Sequence, residues 1–369
     1  MNNILIFLLI GFIVLTTFIF FIIISIKYPK KIDAVYTWVE FDDSLKKDLE
    51  EENAPYMKDD VNCRDSKGNL TVCIHLKANY YDNNELLFSL RSLDLYAPWF
   101  HKIYIVVRDG QRPKWLADNP RVTLVNHSTI IPPQYLPTFN SMAIESFLHK
   151  IPGLSEYFVY FNDDMIILNP VQKTHFFNMW GIPVESKCHE VKEPSPPVKF
   201  YDDGKETKED MFNFHQLLYF NNSILNTYFK KETRFQSQHI PNPHRKSFMN
   251  KLDRFLDQIY IDSDESVNEL TKKSRNRKNT NIARNSLIKK YWNKYAYGAE
   301  EQIFSMDYIE INHLKSVEMD YIKTSKAQFL CIQNSIAYGD KDANIGIQDY
   351  KTLNKILNEK FPNPSSFEK

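Results

Sequence analysis

Four apolar runs rich in β-branched and aromatic residues alternate with segments of helical periodicity, and this alternation restricts the chain to an α/β fold with a mostly parallel sheet. Residues 32–39, 102–107, 122–125 and 156–161 read as the strands. Between the first two, Leu86, Leu90, Leu93 and Ala97 repeat along one helical face, Asp82 with Glu85 reads as a capping box, and Pro98 marks the stop. A second helix is expected over 141–150, halted by Ile151-Pro-Gly153. Parallel sheets carry ligands beyond the carboxyl ends of their strands, so the residues that follow each run matter. The first run meets the acidic turn Glu40 to Asp43, and the last runs straight into Asn162-Asp163-Asp164.

The chain divides into four stretches. Residues 4–26 carry no charge and are mostly Ile, Leu, Phe and Val, enough for a single transmembrane helix; a cleaved signal peptide is the alternative. Lys27, Lys30 and Lys31 would hold the body in the cytosol by the positive-inside rule, whereas the sequons at Asn69, Asn126 and Asn221 suit a secretory lumen. Residues 31–185 form the expected α/β core, 186–210 a proline-containing linker or surface excursion, and 211–369 a more helical second lobe, with helices over 246–260 and 285–297.

The 46 basic and 46 acidic residues cancel, so no global field draws the chain to nucleic acid. No P-loop, glycine-rich dinucleotide turn or paired Cys-x-x-Cys signature is present, and nucleotide phosphates would have to be met by a cation and basic side chains. Asp163 and Asp164 at a strand end suit a hard divalent cation, or form a solvated turn. His239 is a candidate general base, or a packing residue. Arg277 lies in the basic run 272–278, which either clamps phosphoryl oxygens or is a solvated stretch. Glu145 reads as an exposed helical carboxylate. Cys63 and Cys73 could pair in an oxidising compartment, while Cys188 and Cys331 look unpaired.

Several ordered segments resemble the Stealth family: Ile32-Asp-Ala-Val-Tyr-Thr-Trp-Val39 with Asp43, Glu85-Leu-Leu-Phe-Ser-Leu-Arg-Ser92 with Ala97-Pro-Trp99, Leu136-Pro-Thr-Phe-Asn-Ser141 with Ala143-Ile-Glu145, and Phe161-Asn-Asp-Asp164. Gln238-His-Ile-Pro241, Ser274 through Tyr291 and Phe329-Leu-Cys-Ile-Gln-Asn334 continue it. The family includes bacterial capsule hexose-1-phosphate transferases and the lysosomal-enzyme N-acetylglucosamine-1-phosphotransferase. The resemblance implies transfer of a sugar-1-phosphate, N-acetylhexosamine-1-phosphate in the first instance, from a UDP-sugar to a hydroxyl of a glycan or glycoprotein acceptor, with release of UMP. It further implies Mg²⁺ or Mn²⁺ as cofactor, a Golgi or other secretory-pathway membrane with a lumenal catalytic domain, and leaves room for a homodimer.

By the same resemblance, Asp33, Trp38, Asp43, Arg91 and Glu145 would border or order the nucleotide-sugar pocket. Asp163, Asp164 and Asn334 would serve the metal, Asp164 and His239 the chemistry, and Arg277 the phosphoryl charge. Asn281 and Asn334 stand where the family usually has Asp, and an amide supplies an oxygen without the charge that binds a cation tightly. A glycosyltransferase that moves the sugar alone, or a catalytically impaired glycan-binding protein, are the competing expectations.

Overall fold

The computed structural model describes residues 2–57, 80–139, 141–188, 201–202, 205–206, 228–230, 237–262, 286–312, 314–336 and 343–369. Arg277, Asn281, Cys63, Cys73, Asn69, Asn221 and most of the expected linker lie outside these residues.

The expected strands form one sheet. Strands β1 (Ile32–Trp38), β2 (Ile103–Val107), β3 (Val122–Asn126) and β4 (Tyr157–Asn162) lie in the order β3-β2-β1-β4, each pairing parallel. Being covered on both faces, β1 is apolar at nearly every position. Ile32, Ala34, Tyr36 and Trp38 pack one way, with Leu86, Leu90 and Leu93, while Val35 packs the other way with Tyr104, Val106 and Phe158.

Immediately after β4 the chain turns through Asp163 and Asp164 into β5 (Met165–Ile167), which belongs to a second sheet. That short turn joins the two sheets. The second sheet is completed by strands from the far end of the chain, which brings residues 306–335 beside the turn. Strand β6 (Asn242–Arg245) adds antiparallel to β4 in the first sheet. Its Pro243 is tolerated because β6 is an edge strand, where a missing backbone donor disrupts no second ladder. Strands β7 (Met306–Asn312) and β8 (Phe329–Ser335) pair parallel, and β8 pairs antiparallel with β5.

Among the described residues, seven helices of five residues or more surround this frame: α1 (Asn2–Lys27), α2 (Asp43–Met57), α3 (Glu85–Tyr96), α4 (Ser141–Glu145), α5 (Lys246–Asp262), α6 (Ser286–Tyr297) and α7 (Asn344–Lys360). Helix α4 is shorter than the spacing predicts, because the chain tightens into a 3₁₀ turn at Leu148–Lys150. In α1 the side chains described, those of residues 6–20, are all exposed and cover about 22 Å of helix. Among the described residues no helix is long and apolar enough to cross a membrane, so the anchor expected over 4–26 is not shown.

Arg91 has a structural task. Its guanidinium forms a fork to Glu368 at 2.8 and 2.7 Å, donates to Asn358 Oδ1 at 3.0 Å and to the Phe361 carbonyl at 3.1 Å. The two charged side chains are only 12% and 8% exposed, so this pair ties the C-terminal segment to α3 rather than meeting a nucleotide. Arg91→Ala is expected to lower stability by about 3 kcal/mol, because it leaves the Glu368 carboxylate without its partner in a largely buried site. Urea denaturation measures the loss, and an unchanged donor KM in the same variant separates this task from a pocket role.

Candidate active site

The chain runs β1, β2, β3 in one direction and then returns to the other side of β1 to lay down β4. Loops leaving β1 and β4 therefore diverge, opening a crevice at their carboxyl ends of the kind that holds ligands in α/β sheets. Thr37 stands opposite Asn162 in the register, which puts Trp38 level with the Asp163-Asp164 turn. The site is built at this divergence.

Four carboxylates converge there. Asp82 Oδ2 accepts the Trp38 indole N–H at 2.9 Å, and Glu85 accepts the backbone N–H of Asn83. The expected capping box is absent: Asn84, the residue before α3, is left-handed at φ 73°, and Asp82 Oδ1 accepts its N–H at 2.9 Å. Asp82 thus holds the start of α3 with one oxygen and the Trp38 indole with the other. Burial, then the charges of Asp82 and Asp163, push Glu85 well above the usual carboxylate range. Asp163 is pushed well up by burial, then by Asp164 and Asp82, and burial raises Asp82 and Asp164 too. One Asp164 oxygen, Oδ1, is buried with no hydrogen-bond partner. Carboxyl groups so deprived of water favour whatever neutralises them, a proton or a cation.

On the other side of the turn a hydrogen-bonded row leads from the sheet to an imidazole. Thr37 Oγ1 and Tyr160 Oη lie 3.0 Å apart, Tyr160 Oη donates to Asn162 Oδ1, and Asn162 Nδ2 lies 3.0 Å from His239 Nε2. Because the tyrosine fixes the amide oxygen, the amide N–H₂ faces the ring and donates to Nε2. His239 Nδ1 lies 2.8 Å from Cys331 Sγ, and that sulfur lies 3.7 Å from Asp164 Oδ2. Strand β8 delivers the cysteine, held in register by the Ile332 N–H on the Asp164 carbonyl at 3.0 Å. Glu145 joins the row at Tyr160; burial lifts its carboxyl to about 7, against the pull of Lys289 and Tyr160.

Of the residues nominated from sequence, Trp38, Glu145, Asp163, Asp164 and His239 come together. Asp43 is exposed at the first position of α2, just past the carboxyl end of β1. Two nominations lie elsewhere besides Arg91. Asp33 is fully buried near the amino end of β1, about 16 Å of strand before Trp38, where it accepts from the backbone of Lys102 (3.1 Å) and Ser155 (2.7 Å) and meets His101 Nδ1 at 3.0 Å. It locks the loops at the back of the sheet. Asn334 lies three positions beyond Cys331 on β8, and with side chains alternating along a strand it takes the face of Leu330 and Ile332, which belongs to the second core. Cys331 is the β8 residue that meets Asp164. Asp82, Glu85, Tyr160 and Cys331 were not singled out for chemistry by sequence; the first pair resembled a helix cap, and the others had no local signature.

Residues 79–185 match the model of Stealth protein conserved region 2, a stretch that supplies Asp82, Glu85, Glu145, Tyr160, Asp163 and Asp164. The chain is 30% identical over 366 residues to a receptor polysaccharide phosphotransferase of Streptococcus oralis, covering 92% of this chain and 99% of that one. It is 32% identical over 302 residues to an exopolysaccharide phosphotransferase of Lactiplantibacillus plantarum, covering 76% and 83%. A capsular polysaccharide phosphotransferase of Neisseria meningitidis is 41% identical over 156 residues, 42% of this chain and 40% of that one. Against the Neisseria meningitidis and Actinobacillus suis relatives the chain spans about two fifths of their length. With the region-2 match at the crevice and similarity to the streptococcal protein from end to end, the chain belongs to the Stealth family.

Proposed function

We propose that the protein transfers a sugar-1-phosphate, N-acetylhexosamine-1-phosphate being the first candidate, from a UDP-linked donor to a hydroxyl of a glycan acceptor, releasing UMP. The observation that carries this reading is the pairing of a carboxylate cluster with an exposed imidazole at one crevice, Asp163 and Asp164 on one side and His239 on the other. A diphosphate brought against bare carboxylates would be repelled, so the cluster implies a cation between them.

The carboxylates fit Mg²⁺ or Mn²⁺: Asp163 and Asp164 would hold the ion, with Asp82 and Glu85 close enough in charge to reinforce it. When bound, such an ion neutralises the diphosphate and the charge that develops on the leaving nucleotide. The protein's own groups then position and move a proton. The acceptor oxygen attacks the phosphorus that bears the sugar, the bond to the bridging oxygen breaks, and UMP departs. His239 Nε2, a neutral acceptor, takes the hydroxyl proton, displacing the Asn162 amide that occupies it beforehand. Until the acceptor arrives, Tyr160 and Thr37 hold the Asn162 amide on Nε2, and Cys331 at Nδ1 keeps the ring in place. Trp38, buried in the core, fixes Asp82 at the crevice through its indole N–H. Membrane attachment through residues 4–26 belongs to the same reading, supported by the absence of any charge in that run.

A donor screen tests the chemistry. UDP-N-acetylglucosamine and related UDP-sugars, incubated with glycan acceptors and Mg²⁺, are expected to yield UMP and a phosphate-bearing product. UDP release with an acceptor that gains only the mass of the sugar would identify a glycosyltransferase instead, and binding without either product would leave a glycan-binding protein.

A further inference from the structure

We propose that Asp164, His239 and Cys331 form a three-ligand site for a borderline-soft divalent metal ion of the Zn²⁺ or Co²⁺ class, distinct in its chemistry from the hard-cation site of the carboxylates. One ligand atom from each residue lies within 4.8 Å of the others, so a single ion can reach all three. Magnesium takes oxygen ligands and keeps its waters, whereas thiolate and imidazole select zinc-like ions. Cys331 is fully buried, so its sulfur is shielded from bulk solvent and unsuited to attack on a substrate, yet it faces the other two ligands. The buried, unpartnered Oδ1 of Asp164 is a second, independent sign that this corner lacks a positive charge.

The arrangement also has the right opening. Sulfur and nitrogen ligands of a tetrahedral ion, at about 2.3 and 2.0 Å from it, stand about 3.5 Å apart. The present 2.8 Å between Sγ and Nδ1 must widen. The exposed His239 ring can swing to allow this, since among the described residues Asn162 alone holds its other nitrogen. Three protein ligands leave a fourth position toward the crevice, the pattern of zinc sites that bind water or a substrate oxygen. Binding requires the Cys331 proton to leave for solvent and the thiolate to form a bond to the metal. The site adjoins the proposed transfer centre, but its occupancy can be read with no donor or acceptor present.

Metal-free protein titrated anaerobically with Co²⁺ is expected to show one tight equivalent with a sulfur-to-cobalt charge-transfer band in the near ultraviolet. Zn²⁺ should abolish the band by competition, and excess Mg²⁺ should leave it. Cys331→Ser should remove the band, and His239→Gln should weaken Co²⁺ binding by more than about tenfold. Since His239 is exposed, the second variant tests the site even where the buried serine unsettles the fold. A missing band in the wild-type protein, or a band that survives in Cys331→Ser through Cys63, Cys73 or Cys188, overturns the proposal. Metal on Nδ1 leaves the imidazole proton on Nε2 and so withdraws His239 as a base; UMP release is therefore measured with Mg²⁺ and no softer metal, and the two readings fail independently.

Discussion

Asp164→Asn is expected to reduce UMP-forming transfer by about 10³-fold or more while leaving the fold as stable as before. The substitution keeps the volume of the side chain and removes only its charge. That charge is the one shared by both halves of the site: Oδ2 faces Cys331 at 3.7 Å, beside His239, and the neighbouring Asp163 is raised by Asp164 as well as by burial. On the proposed reading a cation would lose a ligand and the diphosphate its neutralising partner, two effects that would act on the same transition state. Stability should not fall, because Asp164 and Asp163 repel each other and neutralising one relieves that strain. Initial rates of UMP release at saturating Mg²⁺, together with thermal denaturation, check both halves. Activity above about a tenth of wild type would remove Asp164 from the transfer centre, and a matching collapse of the melting temperature would make the loss merely structural.

Much of this site could be read before any coordinates existed, and the parts that could not share a physical reason. Asn162-Asp163-Asp164 was legible because an apolar strand ends directly on it, and the strand-helix alternation fixed which end of the sheet would carry ligands. Local spacing could not distinguish two carboxylates capping a helix from two facing a crevice. Asp82 and Glu85 differ from a capping pair only through the left-handed Asn84, a backbone detail that their spacing does not encode. Asp33 and Arg91 sit in segments that resemble the family and yet serve loop locking and C-terminal docking, since nearness in sequence to Trp38 or Glu85 says nothing of which strand end or helix face a residue occupies. Parity along β8 likewise separates Cys331 from Asn334. The edge strand Asn242–Arg245 left no periodic signal at all, being four residues of Asn, Pro, His and Arg that pair because β4 offers an open edge.

Metal-free protein is expected to melt at a higher temperature near pH 6 than at pH 8, and excess Mg²⁺ to raise the melting temperature more at pH 8 than at pH 6. Folding raises Glu85, Asp163, Asp82 and Asp164 above their ordinary values and lifts Glu145 to about 7. An acid whose folded value is raised holds its proton more firmly in the native state. Its contribution is fully present below the unfolded carboxyl pKa of about 4 and is lost as pH climbs through the folded value. For Glu145 alone the loss approaches about 3 kcal/mol. Buried histidines set the opposite limb. Burial holds His127 down to about 4, and holds His244 well below its ordinary value with help from Lys289 and His149; their contribution is present above about pH 6.5 and is lost as pH falls. Above about pH 6.5 the histidines no longer change stability with pH, so the carboxyl limb alone sets the fall toward pH 8. A cation that binds the ionised cluster restores what the alkaline limb removes, and does less at pH 6 because it must first displace protons. The share due to Glu145 should persist with Mg²⁺ present, since its neighbours are Tyr160 and Lys289 rather than the cluster. Asp163→Asn should flatten the decline from pH 6 to pH 8 and diminish the Mg²⁺ response together; a variant that changed one without the other would separate the proton sites from the cation site.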